Sequence, residues 1–454
     1  MFSKKYKQFS VIYNENKYLY QDVLDVTEQI KDIFSGRHLI ILTAENDLVS
    51  LSVYLRSIQS RTPIMLLSNE IDSSEIEVIV NKFKPSYLIS CKNLVGSLED
   101  KPIKRALKDY YLYEFKQLDA VKIFDKLALL LPTSGSTGSA KFVRISYQNI
   151  LSNTQSIIRF LKINCEDVSI TILPMNYSFG LSIINTYVEM GACLVLTNKS
   201  IVERDFWSLI SKHSITSISG VPYTFQLLKQ LGFLRKNYPS LRAITQAGGG
   251  LDLETKKAFV KYAKKNKIKF FVMYGQTEAT ARISYVPTSK LVIKLSSIGK
   301  PIPGGRLEID SNNAKEGELI YYGKNVSLGY AEKSLDLILA DENNGVLRTG
   351  DIGFKDSDGY FYITGRKSRF IKVNGIRIGL DDLEEMIERE FVDIDVRCHG
   401  KDNNILIDYQ SQNISDESLK IFVRKKLNIH YKFITVLKVG LIPRNNSGKK
   451  IYIK

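Results

Sequence analysis

The segment Leu131-Pro132-Thr133-Ser134-Gly135-Ser136-Thr137-Gly138-Ser139-Ala140-Lys141 runs small and hydroxylated residues into a lysine. Small residues let a backbone come close to a polyphosphate, the hydroxyls of Thr133, Ser134, Ser136 and Thr137 can hydrogen-bond its oxygens, and Lys141 adds charge. The segment follows an apolar strand and precedes a helix expected from about Ser146. It is not a Walker A loop, which needs a lysine directly after the second glycine; the same composition also suits a plain linker. A second segment, Tyr274-Gly275-Gln276-Thr277-Glu278, follows a strand ending at Met273. Loops at the carboxyl ends of parallel strands are where open α/β sheets bind ligands. Here a tyrosine can stack on a base, a threonine can meet a phosphate, and a glutamate can offer oxygens to Mg²⁺. A turn carrying a solvated glutamate fits these residues equally. The third is Leu347-Arg348-Thr349-Gly350-Asp351, with Asp358-Gly359-Tyr360 and Gly365-Arg366 beyond it. An acidic residue near a nucleotide commonly binds ribose hydroxyls, although Asp351 alone reads better as a hairpin-turn residue.

The elements that must carry these loops alternate. Residues 38–44 read as a buried strand, 48–58 as a helix, 63–67 as a strand, 73–84 as a helix and 86–90 as a strand. That alternation indicates parallel α/β architecture. Further strands are expected at 127–131, 170–173, 193–197, 215–219, 242–246 and 269–273. After Gly299 short alternating segments at 306–309, 317–322 and 360–364 are divided by Gly, Asn and Asp, the texture of a small β-rich unit. The last segment mixes strands with an acidic helix at 381–390.

The 454 residues suffice for several compact units, with ordinary hydrophobic (44%) and charged (25%) content. Cys91, Cys165, Cys193 and Cys398 are far apart, a pattern of free thiols in a reducing compartment. No apolar region follows the basic start of the chain and no stretch is long enough to span a membrane, so the cytoplasm is expected. The net charge of +16 would draw ATP, a CoA-like molecule, an acidic carrier protein or nucleic acid. The densest lysine run, Lys256 to Lys269, reads as a solvated helix face with few interleaved aromatics, which argues against single-strand binding.

In their order and spacing these segments resemble the adenylate-forming superfamily, which includes acyl-CoA synthetases, firefly luciferase and the adenylation domains of peptide synthetases. The loop at 133–141 is similar to the family's TSGSTGxPK core. Glu316-Gly317-Glu318-Leu319 with Gly323 and Gly329-Tyr330 is similar to its GEL…GY segment, and Thr349-Gly350-Asp351 to its TGD. Residues 365–378 resemble its GRxxxxIKxxGxRI, and Pro443-Arg444-Asn445-Asn446-Ser447-Gly448-Lys449 its C-terminal catalytic-lysine motif. The resemblance runs from about His38 to the C-terminus.

It implies a large N-terminal AMP-binding domain, residues 1–366, of two Rossmann-like subdomains plus a small β-barrel unit. A small mobile C-terminal α/β catalytic domain, residues 367–454, would hinge at Ser368. The implied activity is Mg²⁺- and ATP-dependent conversion of a carboxylic acid to its acyl-adenylate with release of pyrophosphate, then transfer to the thiol of CoA or an acyl carrier protein. By resemblance Thr133, Ser134, Gly135, Ser136, Thr137, Gly138 and Lys141 hold the β- and γ-phosphates. Gly248, Gly249, Gly250, Tyr274 and Gly275 surround the adenine, Thr277 meets the α-phosphate and Glu278 helps hold Mg²⁺. Asp351 takes the ribose, with Arg366 nearby. Lys449 bridges the acyl carboxylate and the α-phosphate, with Lys450 as its one-residue register alternative. Lys372 and Gly375 line the thiol tunnel.

The chain departs from the pattern in places. Ala140 replaces a usual proline, Ser368 stands at a hinge position that is often acidic or lysine, and Tyr177 takes the histidine position of a P-x-x-H-x-x-G pocket segment. Asn176, Tyr177 and Gly248 are then expected to line the acid pocket. Relatives that activate amino acids place an aspartate in this segment for the ammonium, whose burial unpaired would be costly. From Pro174 to Tyr187 there is no Asp or Glu, which favours an acid without an α-amino group. An amino-acid-adenylating enzyme is the alternative, a non-catalytic nucleotide-binding homologue is more distant, and no motif supports a nucleic-acid binder.

Overall fold

A computed structural model describes residues 4–94, 103–107, 109–115, 121–132, 141–311, 315–367, 369–373, 376–401, 403–427, 429–444 and 450–452. The chain packs as two compact units. Met1–Arg306 with Tyr321–Leu347 form the first, and Leu307–Ile320 with Arg348–Lys454 the second.

The first unit is built on two large mixed sheets, as the expected pair of Rossmann-like subdomains requires. One has eight strands, with Ile40–Ala44 at its centre, parallel to Ile64–Ser68 and Tyr87–Ser90. These strands are apolar on both faces because helices Leu48–Ser60 and Ser73–Phe83 return the chain between them. Leu127–Pro132 joins parallel to Ile64–Ser68, and Phe142–Ser146 then pairs back antiparallel to it. That strand was not expected. It stands in sequence between the Ser/Thr/Gly loop and helix Tyr147–Leu161, which starts where expected, capped by Ser146. The alternation Phe-Val-Arg-Ile-Ser hides as a strand because Arg144 is fully buried. Its guanidinium donates to the carbonyls of Tyr330 (2.9 Å) and Leu328 (3.0 Å) and pairs with Glu342.

The second large sheet has nine strands. Val168–Ile170, Ser217–Gly220, Ala243–Gln246 and Lys269–Tyr274 run parallel through its middle. Ser10–Tyr13 adds in parallel to Cys193–Val195, a partner too distant in sequence to be anticipated. Its core, centred on Phe206, Phe225, Phe233, Phe259 and Phe270, holds helices Arg204–Lys212, Pro222–Gln230 and Leu253–Lys265 against the sheet.

The β-rich segment after Gly299 forms a four-stranded sheet of Gly305–Asp310, Gly317–Gly323, Val346–Lys355 and Phe361–Arg366, in that order. Asp351 pairs across its last two strands with Arg366. The second unit also holds the hairpin Phe370–Val373 and Ile376–Gly379, helices Leu380–Glu390 and Asp416–Leu427, and a three-stranded sheet. Among the described residues no helix is long and apolar enough to cross a membrane.

Candidate active site

In the first unit, the carboxyl ends of three adjacent parallel strands carry most of the expected residues. Gly220 is level with Gln246, and Gln246 with Val272, so the turns after these strands lie side by side. Gly248, Gly249 and Gly250 form one turn and Gly275 to Glu278 the next. Gly248 has φ +86°, and a Cβ there would lie 2.6 Å from the Tyr177 hydroxyl. At Gly275 a Cβ would lie 1.9 Å from the carbonyl oxygen of Ala281, with no flexible side chain to yield. Gly275→Ala is therefore expected to cost about 1–3 kcal/mol, an ordinary overpacking penalty. It should also disorder the turn, lowering both Tm and ATP affinity; an unchanged Tm would show that the loop relaxes freely.

The turn ends in a strained residue. Thr280 has φ +65° and ψ −50°, and Ala281 N–H donates to Ala279 O at 2.7 Å, the geometry of a rare γ-turn. A β-branched residue in that region needs outside support. Thr280 Oγ1 donates to Asn325 O (2.7 Å), while Asn325 Nδ2 donates to Ala279 O and Arg282 O, each at 2.9 Å. The strain and its support fix where Thr277 and Glu278 point. Thr277 is buried, with its hydroxyl 3.2 Å from Ser178 Oγ. Tyr274 receives a hydrogen bond from Gln276 at 3.1 Å.

Glu278 and Lys141 meet at Tyr330. The tyrosine hydroxyl donates to Glu278 Oε1 at 3.0 Å, and Lys141 Nζ lies 4.0 Å from the centre of the ring. Burial, with the Glu278 charge next to it, holds the Tyr330 phenol above its ordinary value, so it stays a donor. Lys141 also faces Glu332 at 3.9 Å. Tyr330 entered the sequence reading only as part of a motif; its position between a cation and an anion needed the fold.

Asn176 and Tyr177 precede the buried helix Ser178–Met190. Beside Tyr177 lies Arg282, at 2% exposure, its guanidinium 3.9 Å from the centre of the Phe179 ring. Burial pulls the Arg282 guanidinium down to about 9, and burial likewise pushes the Tyr177 phenol up to about 12. Nothing in the sequence marked Arg282, because its significance lies in its burial.

The second unit brings Asp351 and Arg366 together. Arg366 Nε donates to Asp351 Oδ1 at 2.7 Å, and Asp351 is 1% exposed. Under this pair Glu318 accepts from Arg348 Nε (3.1 Å), Lys367 Nζ (3.1 Å) and Gly350 N–H (3.2 Å). Burial pushes the Glu318 carboxyl up, but these donors outweigh it and hold it below its ordinary value. A depressed carboxyl contributes stability above the unfolded value of about 4.3 and loses it as pH falls through the folded value. Acid melts should therefore show a steeper loss of Tm below about pH 4.3 in the native chain than in Glu318→Gln; parallel curves would contradict this.

Lys450, the register alternative to Lys449, is committed elsewhere in this unit. Its Nζ lies 2.8 Å from Glu388, 3.3 Å from Asp395 and 3.7 Å from Glu384. Burial pulls its ammonium down, but the three carboxylates more than offset this and hold it above the ordinary lysine value. Arg444 and Lys450 bridge antiparallel, and Tyr452 donates to Glu384 at 2.9 Å. Residues 450–452 are thus held to the body of this unit. Lys372 lies on strand Phe370–Val373. Thr133, Ser134, Gly135, Ser136, Thr137, Gly138, Ser368, Gly375 and Lys449 lie outside the described residues. Among the described residues, no group of three or more His, Cys, Asp or Glu gathers to hold a metal.

With this geometry in view, comparison with known proteins adds three findings. The family model described as AMP-binding enzyme matches residues 60–331. A long-chain-fatty-acid–CoA ligase of Escherichia coli O6:H1 is 27% identical over 84% of this chain and 73% of its own length. A 2-succinylbenzoate–CoA ligase of Bacillus cytotoxicus is 25% identical over 80% of each chain. Among solved structures, o-succinylbenzoate CoA synthetase of Bacillus subtilis with its acyl-adenylate intermediate superposes with TM-score 0.77 at 21% identity, over 98% of this chain and 94% of that one. At that identity the likeness is one of fold.

Proposed function

The chain belongs to the AMP-binding enzymes, and on that premise we propose that it joins a carboxylic acid to the α-phosphate of ATP and passes the acyl group to a thiol. It is an AMP-forming acid–thiol ligase with ATP and Mg²⁺ as its requirements. The observation that carries this reading is the meeting of Lys141 and Glu278 at Tyr330, beside the turns of Gly248–Gly250 and Tyr274–Glu278.

A carboxylate attacking the α-phosphorus brings two anions together, so cationic and hydrogen-bonding groups must face both. Lys141, at the end of the hydroxyl-rich loop, supplies charge toward the outer phosphates. Thr277, its hydroxyl 3.2 Å from Ser178 Oγ, is assigned to the α-phosphate, and Asp351 is assigned to the ribose. Lys449 is assigned to the space between the acyl carboxylate and the α-phosphate. A single carboxylate with no acidic cluster around it suits Mg²⁺, which commonly takes one or two carboxylates and completes its shell with substrate phosphates and water. Glu278 is that carboxylate. Bound there, Mg²⁺ supplies charge neutralisation on the phosphates. After adenylation, rotation about Ser368 would withdraw Lys449 and bring Lys372 and Gly375 to the thiol.

The acid carries no α-amino group in this reading. The pocket segment has no carboxylate to meet an ammonium, and the buried guanidinium of Arg282 repels one. The curated relatives are named for CoA, and an acyl carrier protein presents the same thiol arm, which the net charge of +16 also suits. The four free cysteines fit a reducing cytoplasm.

Pyrophosphate release with ATP, Mg²⁺ and a panel of short, aromatic, hydroxy, dicarboxylic and amino acids tests the reading. Release with one or a few acids and none without acid is expected. An amino acid outperforming the rest would overturn the pocket argument, and ATP binding without release for any acid would point to a non-catalytic homologue.

A further inference from the structure

Arg282 is a fully buried cation without an anion. At 2% exposure it has no carboxylate within ion-pair distance among the described residues. Its Nη1 donates to Ala281 O at 3.3 Å and its Nε to the Met273 sulfur at 3.4 Å, both weak for a charged donor. The remaining contact is the face of Phe179. Among the described residues the other buried arginines and lysines end on better acceptors: Arg144 on Glu342 and several carbonyls, Arg397 on Asp408, Lys256 on Leu295 O at 2.6 Å. Taking a guanidinium out of water this far costs several kcal/mol unless an anion meets it, and the described residues provide none.

The position of this cation is specific. Its backbone carbonyl is held by Asn153 Nδ2 (3.2 Å) and Asn325 Nδ2 (2.9 Å), which fixes the backbone from which the guanidinium projects. The Phe179 ring it faces lies edge-on to Tyr177, with ring centres 6.4 Å apart, and Gly248 leaves room for the Tyr177 hydroxyl, which a Cβ there would approach to 2.6 Å. Tyr177 and Gly248 are two of the three residues assigned to the acid pocket, with Asn176 next to Tyr177 in the chain. A cation held at that place waits for a charge that arrives with the substrate.

We propose that Arg282 is the specificity residue of the acid pocket and that the acid activated here carries a second anionic group, such as a second carboxylate, which pairs with this guanidinium. The inference rests on the adenylation reading and deepens it. The first carboxylate is consumed by attack on the α-phosphorus. The second stays ionised, meets Arg282 and fixes the acid's register in the pocket.

The test is acid-dependent ATP–pyrophosphate exchange with pairs of acids matched in length: a monocarboxylic acid, its dicarboxylic counterpart, and the half-amide that keeps shape but loses charge. The native enzyme should prefer the dicarboxylic member by about 10–100-fold in kcat/KM, the worth of a charge-assisted hydrogen bond. Arg282→Met should erase that preference through KM for the acid while leaving KM for ATP unchanged. Its Tm should hold or rise, because replacing an unmet buried charge with an apolar side chain of similar volume is commonly neutral or stabilising. A merely structural arginine would instead lose Tm and keep its acid ranking. Arg282→Lys, which retains charge on a different stem, should keep a reduced preference. The proposal is overturned if the native enzyme ranks the monocarboxylic acid or the half-amide first, a result that needs no variant to fold. It is also overturned if folded Arg282→Met keeps the native ranking. No exchange with any acid, despite bound ATP, would remove the adenylation reading and this inference with it, whereas exchange confined to monocarboxylic acids would remove this inference alone.

Discussion

Lys449→Ala should lower the rate of acyl-adenylate formation by about 10²–10³-fold, the usual worth of one preorganised charge facing a developing anion. Thioester formation from a supplied acyl-adenylate should remain close to native, because this lysine is assigned only to the step in which two anions are brought together. The neighbouring residue gives the contrast. Lys450 is surrounded by Glu388, Asp395 and Glu384, so Lys450→Ala leaves Glu388 beside two further carboxylates without its cation, while Glu384 keeps Arg369 and Asp395 keeps Arg444. Its cost should be in stability, on the order of 2–4 kcal/mol, somewhat below that of a wholly buried pair because Glu388 and Asp395 keep contact with water. Paired half-reaction assays and thermal melts separate the two lysines. If Lys449→Ala depresses both half-reactions together, its assignment is wrong; if Lys450→Ala keeps its Tm and loses only adenylation, the assignment belongs to Lys450.

Glu278→Gln should raise the Mg²⁺ concentration for half-maximal adenylation by at least about 10–100-fold, since loss of even an outer partner of a metal ligand has that size. The amide keeps the shape and can still accept from the Tyr330 hydroxyl, and the backbone bond from Ser327 N–H to Glu278 O at 2.8 Å is untouched. The fold should therefore survive and the loss should fall on metal affinity. Tyr330→Phe, which frees the carboxylate without removing it, should shift the Mg²⁺ requirement less. A metal titration of the two variants decides this; an unchanged curve for Glu278→Gln would take the metal role away from it.

What the sequence could and could not disclose follows from where each signal resides. Buried strands such as Ile40–Ala44 and Lys269–Tyr274 are continuous apolar runs, so they and the loops at their ends were legible. The glycines of those loops were legible for the same local reason, since Gly275 is required by a carbonyl only six residues away. Strand Phe142–Ser146 was not, because its central residue is an arginine whose partners lie nearly two hundred positions on. The hairpin pairing Asp351 with Arg366 was visible as two motifs but not as one body, because the pairing is a register that only the folded sheet shows. Arg282 is the clearest case. As a letter it is an ordinary surface residue two positions before a strand, and its meaning comes from burial among Tyr177, Phe179 and Met273, contacts that only the tertiary fold creates.

The most direct test of adenylation follows the oxygen. With a carboxylic acid labelled with ¹⁸O in its carboxylate, attack on the α-phosphorus leaves a labelled oxygen between acyl carbon and phosphorus. Thiol attack at the acyl carbon then breaks the carbon–oxygen bond, and mass spectrometry should find one ¹⁸O in the AMP. Label in inorganic phosphate, accompanied by ADP, would instead mean attack at the γ-phosphorus and would contradict the assignment of this chain's site to acyl-adenylate chemistry.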